Sequence, residues 1–122
     1  MILKKEIIEQ LSKELSLPFT GTEQDWDIEM ANSNRVDEFI KFYKERYLCD
    51  DKKVATMSLI LASYDDLLNE SNLEIDARWG EIKLILESEK VIFTNLMNYW
   101  IQINEIEVDN LFRITSLLKK IK

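Results

Sequence analysis

The sequence predicts an all-α protein, folded as a single-domain bundle of five to six helices joined by short loops. Three observations support this fold class. Apolar residues recur every three to four positions in five segments, the spacing of one face of an α-helix. The chain contains only two Gly and one Pro, too few for a turn-rich sandwich or barrel. Its 122 residues suit one domain, residues 1–122, which can bury a core without disulfides or a structural metal.

The first helix is predicted over residues 2–15 from apolar residues spaced by four: Leu3, Ile7, Leu11 and Leu15. Pro18 and Gly21 then break the pattern, and a polar connector follows over residues 20–29. The second helix is expected to begin in the run 32–34, whose three residues are all good N-caps, and Asn34 and Asp37 have the spacing of a capping box. Its predicted buried residues are Val36, Phe39, Ile40, Tyr43 and Tyr47.

Three longer helices are predicted next. Asp50 and Asp51 are expected to cap the third, whose buried stripe is Val54, Met57, Ile60, Leu61, Tyr64, Leu67 and Leu68. A break over residues 69–72 precedes the fourth helix, with the stripe Ile75, Trp79, Ile82 and Leu86. The fifth is expected near Glu89 with Ser88 as its cap, and its stripe is Ile92, Leu96, Tyr99 and Ile103.

The pattern weakens after residue 103. Residues 104–110 alternate polar and apolar, as in a short strand, although no second strand is evident to pair with it. Thr115 or Ser116 is expected to cap a last turn of helix over residues 117–121. Trp79, Tyr64 and Tyr99 lie on the predicted stripes and are expected in the core, with at least one of Tyr99 and Trp100 near its edge.

The residue types argue against catalysis and against a cofactor or metal. The chain has no His and a single Cys, which excludes His-based triads and His- or Cys-rich zinc sites. Neither a GxGxxG nor a P-loop motif is present. The run DxDxE at residues 25–29 lacks the central Gly and the twelfth-position Glu of a calcium loop. We therefore expect a protein that is not an enzyme, in which Cys49 packs as a small hydrophobe.

The net charge of −7 favours a basic protein partner over nucleic acid, because nucleic-acid affinity depends on Lys and Arg. The alternative is that this charge merely maintains solubility. Acidic residues without an intervening Lys or Arg gather at residues 23–29, at the end of the third helix and after the fifth. Asp65 and Asp66 are expected on a solvated helix face. The candidate contacts or steering residues are Asp65, Asp66, Glu70, Asp76, Glu105, Glu107 and Asp109.

The N-terminal residues become acidic too early for a signal peptide, and no apolar run approaches the ~18–20 residues that span a membrane. A single Cys gives no reason to expect an oxidising compartment. The sequence therefore predicts a cytoplasmic protein that does not bind a membrane.

Six segments resemble small acidic bacterial proteins encoded beside polymorphic toxins, including immunity proteins of contact-dependent growth inhibition systems. They are DWDIEMA at 25–31, RVDEFIxxY at 35–43, MxxILASYD at 57–65, WxxI at 79–82, YW at 99–100 and FRIT at 112–115. Most of these residues are structural in type, so the resemblance transfers no binding site residue by residue.

The resemblance implies that the chain binds and neutralises the toxic C-terminal domain of a cognate effector in the bacterial cytoplasm, as a 1:1 heterodimer. Many such toxins are nucleases with basic substrate-binding surfaces, and analogy with the family favours an RNase. The alternative reading is a cytosolic helical adaptor or regulatory module with an ordinary protein partner.

Overall fold

The computed structural model describes residues 3–106 and 112–121, and these residues form seven α-helices, one 3₁₀ turn and no strand. The elements in order are α1 Lys5–Glu14, α2 Trp26–Glu29, the 3₁₀ turn Ser33–Arg35, α3 Val36–Glu45, α4 Asp50–Glu70, α5 Arg78–Ser88, α6 Lys90–Ile106 and α7 Arg113–Ile121. The all-α prediction is confirmed. The helix that raises the number above six is α2, which forms inside the predicted polar connector.

Helix α4 occupies the centre of the bundle. It contacts α1, α2, α3, α6 and α7, and every residue from 55 to 65 is buried. A helix enclosed in this way is apolar around most of its circumference. The predicted stripe residues Met57, Ile60, Leu61, Tyr64 and Leu68 are fully buried, as expected.

Two buried hydroxyls of α4 bind the segment that crosses it. Ser58 Oγ donates to Asp27 Oδ2 over 2.6 Å, and Ser63 Oγ accepts the Asn32 backbone N–H over 3.0 Å. Because a buried hydroxyl is costly without a partner, these two bonds explain how Ser is tolerated in the core. They also fix α2 and the 3₁₀ turn against α4.

Two non-glycine residues in left-handed conformation end the helices next to the predicted breaks. Ser16, with φ 53°, follows α1, and the Leu17 N–H reaches back to the Ser12 carbonyl over 2.8 Å. Asn72, also with φ 53°, follows α4, and the Leu73 N–H reaches the Leu68 carbonyl over 2.8 Å. Both are Schellman ends, which satisfy carbonyls that the helix leaves unpaired.

Helix α6 presents a different face to the core from the one predicted. The buried residues are Phe93, Leu96, Met97 and Trp100, whereas Ile92 and Tyr99 are only half-buried and the Ile103 side chain lies outside the description. The buried face is shifted by one residue from the predicted one. This shift buries Trp100, because its ring packs edge-on against Phe112, with the two ring centres 4.9 Å apart. Trp100 is therefore a core residue, and Tyr99 lies at the edge of the core.

Three residues predicted to be buried are exposed. Tyr47 is fully solvent-accessible, because α3 ends at Glu45 and the extended backbone of Arg46 interrupts the helical period. Ile75 is 53% exposed because α5 begins only at Arg78. Cys49 is exposed because it occupies the N-cap position of α4 at the surface.

Several predicted caps are wrong. Of the three cap candidates at 32–34, Asn32 is confirmed as the cap of the 3₁₀ turn, since its side chain accepts the Asn34 N–H over 2.9 Å, whereas the predicted capping box of Asn34 does not cap α3. Asp50 and Asp51 lie within the first turn of α4, beyond its cap position, where their charge still suits the helix dipole. Ser88 is the last residue of α5 and donates to the Ile85 carbonyl. Thr115 and Ser116 lie inside α7, which begins earlier than predicted.

Candidate protein-binding surface

The seven predicted contact residues separate into three groups. Asp66 and Glu70 are exposed at the end of α4. Asp65 and Asp76 are engaged in contacts that hold the fold together, described below. Glu105 belongs to α6 but its side chain is not described, and Glu107 and Asp109 lie outside the described residues.

Asp65 is buried, so its predicted place on a solvated face is wrong. The side chain is 3% exposed. Its Oδ1 accepts the Ile114 backbone N–H over 3.2 Å, and Oδ2 accepts the Asn69 amide over 3.1 Å. Burial raises the pKa of Asp65, while the backbone N–H groups of Ile114 and Arg113 oppose the increase. The carboxylate therefore caps the start of α7 from a different helix.

Asp76 has a similar structural role at the start of α5. Its Oδ1 accepts the Tyr64 hydroxyl and the Arg78 backbone N–H, each over 2.9 Å, and Oδ2 pairs with the Arg78 guanidinium at 2.6 Å. Burial alone would raise the pKa of Asp76, but these bonds from Tyr64 and Arg78 bring it below its ordinary value. Arg78 also bonds Asp37 over 2.8 Å, which ties α5 to α3.

The carboxylates left for a partner at this end of the molecule are Asp66, Glu70 and Glu74, which we call the α4-end carboxylates. All three are exposed, and within the described ranges no Lys or Arg lies within 4.0 Å of them. Although Asp66 is exposed, neighbouring protein atoms partly desolvate its carboxylate and raise its pKa, and the negative charge of Glu70 raises it further. Like charges four residues apart on a helix cost about 0.2–0.5 kcal/mol, so this pair slightly weakens the isolated fold.

The basic side chains, in contrast, are often neutralised within the protein. Lys44 pairs with Glu81 at 2.7 Å and Lys52 with Glu14 at 2.8 Å. Lys53 pairs with Glu89 at 2.5 Å. These surface pairs contribute little to stability, but they reduce the positive field of the face formed by α3 and the start of α4. The α4-end carboxylates form no such ion pair among the described residues, and the one positive charge described at this end of α4 is the Arg113 guanidinium, which binds Asn69, Asn72 and the Leu73 carbonyl.

A second acidic region borders a cavity of about 470 Å³, which we call the α1–α2 groove. Its apolar lining comes from the chain just before α1, from α1, from the connector after it, from α2 and from α6: Leu3, Ile8, Phe19, Trp26 and Tyr99. Its acidic lining comes from Glu23, Asp25 and Asp27. Trp26 is held in place because its indole N–H donates to Ser12 Oγ over 2.9 Å. The groove therefore combines fixed aromatic walls with carboxylates.

Asp27 is the buried carboxylate of this groove. It is 6% exposed, and it accepts hydrogen bonds from Ser58 Oγ at 2.6 Å and from the Ile28 N–H at 3.0 Å. No Lys or Arg of the described chain lies within 4.0 Å of it. Burial raises the pKa of Asp27 above its ordinary value of 3.8, and the hydrogen bonds from Ser58 and Ile28 only partly oppose this. The groove thus contains a poorly solvated carboxyl group that no Lys or Arg of the described residues pairs with.

This burial predicts how stability depends on pH. A carboxylate whose pKa is raised by folding opposes folding when ionised, and this cost is lost as the pH falls through its raised pKa towards 3.8. Asp27→Asn removes the charge and keeps the shape. We expect the variant to gain stability over the parent at about pH 7, and the gain to shrink towards about pH 4. Urea unfolding at both pH values measures the difference in free energy of unfolding between the variant and the parent. The same difference at both pH values would show that Asp27 is not desolvated.

Sequence reasoning did not find the α1–α2 groove. The sequence predicts only a polar connector over residues 20–29, which contains the run DWDIE. The available signal was the pair of Ser residues on the predicted core helix, Ser58 and Ser63, whose hydroxyls require polar partners. Which partners they find depends on contacts 31 residues away in sequence.

No family model matches the chain, and no curated protein or solved structure does either. In the part of the chain that the structure describes, no helix has both the length and the apolarity to cross a membrane. The same residues contain no group of three or more His, Cys, Asp or Glu arranged to hold a metal ion.

Proposed function

We propose that this protein is an immunity protein. Its partner is the basic C-terminal nuclease domain, an RNase by family analogy, of a contact-dependent growth inhibition effector. It binds this toxin in the bacterial cytoplasm as a 1:1 complex and acts by binding rather than by catalysis. The six resembling segments support the family, and the acidic surface supports the choice of a basic partner.

One observation carries the choice of partner. The α4-end carboxylates are exposed, mutually repulsive in the case of Asp66 and Glu70, and unpaired within the described residues. A basic surface would relieve that repulsion on binding, so the negative charge that weakens the free protein strengthens the complex. A nuclease domain has such a surface, because it must bind a phosphate backbone.

The test is the association rate with the toxin domain encoded beside this protein, measured against ionic strength. We expect Asp66→Lys/Glu70→Lys to slow association by about tenfold at low salt and by much less at high salt. Glu6→Lys/Glu87→Lys is the control, because it makes the same change in net charge at other exposed positions that have no ion pair among the described residues. If the two double variants associate equally fast, the α4-end carboxylates do not face the partner.

The adaptor reading also has one observation in its favour. Tyr47 is fully exposed beside Arg46, whose guanidinium lies 5.1 Å from the Phe42 ring centre. Tyr and Arg are the residue types that most often dominate protein–protein binding energy. A partner that loses affinity with Tyr47→Ala but not with Asp66→Lys/Glu70→Lys would favour this second function.

A further inference from the structure

The α1–α2 groove has the chemistry of a binding site for a cation. Asp27 is fixed from the core side, because Ser58, which binds its Oδ2, belongs to the buried face of α4. Its Oδ1 is held by the next N–H along the chain. A carboxylate offers about four acceptor positions, more than Ser58 and Ile28 occupy, and Asp27 lines the groove.

The rim of the groove carries further negative charge. Glu23 is oriented by Thr20, whose backbone N–H reaches the two carboxylate oxygens at 2.9 and 3.1 Å and whose hydroxyl also bonds it. Asp25 is exposed beside it, and its backbone N–H is taken by Glu29. Among the described residues, the cation that lines the groove is Lys5, which is 81% exposed and lies 4.0 Å from Glu9 on its own helix. Lys5 therefore does not neutralise Asp27.

The walls favour a guanidinium over an ammonium. Tyr99 and Phe19 are half-buried aromatic rings in the lining. Arginine stacks on aromatic faces, is more weakly hydrated than lysine, and can bond two carboxylate oxygens with one planar fork. Leu3 and Ile8 provide apolar surface for the methylene stem of such a side chain.

We propose that the α1–α2 groove receives an arginine side chain of the protein partner, with its guanidinium paired to Asp27 and flanked by Asp25 and Tyr99. The identity of the partner rests on the proposed function. The ability of the groove to bind an arginine side chain does not depend on that function. The arginine acts as an anchor, whereas the α4-end carboxylates steer the approach.

The first test needs no partner. The ¹⁵N-labelled full chain is titrated with N-acetyl-arginine amide and, separately, with the citrulline amide, which has nearly the same shape but no charge. We expect saturable shifts of the Gly21 and Asp27 amides and of the Trp26 indole with arginine only. Asp27→Asn should abolish them, while Asp66→Asn leaves them unchanged. Equal shifts with citrulline, or shifts that survive Asp27→Asn, would overturn the proposal.

The second test uses the toxin domain. Asp27→Asn should speed dissociation of the complex by about 30-fold and leave the association rate almost unchanged, because a buried charge pair acts mainly on dissociation. A complex that forms normally and dissociates at the parent rate would overturn the groove proposal and leave the proposed function standing. Arginine binding in the groove without any binding of the toxin domain would instead count against the proposed function alone.

Discussion

Asp65→Lys should lower the free energy of unfolding by about 3–5 kcal/mol or prevent folding, because it replaces a buried acceptor with a buried cation. The new ammonium would face the Ile114 N–H and the positive end of α7, where Asp65 now accepts a hydrogen bond. Asp65→Asn should be milder, since it keeps one acceptor oxygen. Denaturant unfolding followed by circular dichroism measures both losses.

Asp66→Lys is the matched control, one residue further along the same helix. Asp66 is exposed, and its replacement removes the repulsion with Glu70, so we expect a change within about 0.5 kcal/mol of the parent. If Asp65→Lys were as stable as Asp66→Lys, Asp65 could not be the residue that holds the start of α7. Reversing the charge of Asp65 together with Asp66 would therefore disturb the fold, so that pair of substitutions does not test binding.

Trp79→Ala should cost about 3–5 kcal/mol, the range for removing a large buried aromatic side chain. Trp79 is 7% exposed and stacks on Tyr64, with ring centres 6.5 Å apart and planes 7° from parallel. Because Tyr64 also binds Asp76, the loss should extend to the start of α5. Thermal and urea unfolding measure the loss of stability, and heteronuclear NMR spectra show whether the residues of α5 are affected.

Leu84→Ala is the control on the same helix, since Leu84 is 68% exposed and its truncation should cost under about 1 kcal/mol. Trp79→Phe should fall between the two, because it keeps a ring for Tyr64 to stack on. If Trp79→Ala lowered the free energy of unfolding no more than Leu84→Ala does, Trp79 would not face the core.

The sequence predicts which segments are helical better than it predicts which face each helix buries. In α4, five of the seven predicted stripe residues are fully buried, and Val54 and Leu67 are half-buried. In α6, the faces beginning at Ile92 and at Phe93 have nearly the same spacing, and periodicity alone does not choose between them. Packing against Phe112 decides in favour of Phe93 and Trp100.

The candidate contacts were predictable only where they depend on local sequence. Asp66 and Glu70 are exposed as their places outside the α4 stripe indicate. Asp65 is buried because α7, 49 residues later, docks with its first N–H groups towards it. No local pattern distinguishes a carboxylate that caps a distant helix from one that faces water. Asp27 differs from the exposed Asp25 for the same reason, since Ser58 is remote in sequence.

The central position of α4 also determines the order in which the chain can become native. Helix α4 is contacted by helices from both sides of the sequence. The preceding helices α1 to α3 pack on it, and so do the following helices α6 and α7. During synthesis, α4 therefore has an unsatisfied apolar side until the last of these helices has been made. Neither half of the molecule can retain a closed core alone, so unfolding should be all-or-none. The amide hydrogens of α4 should then exchange only when the whole domain opens.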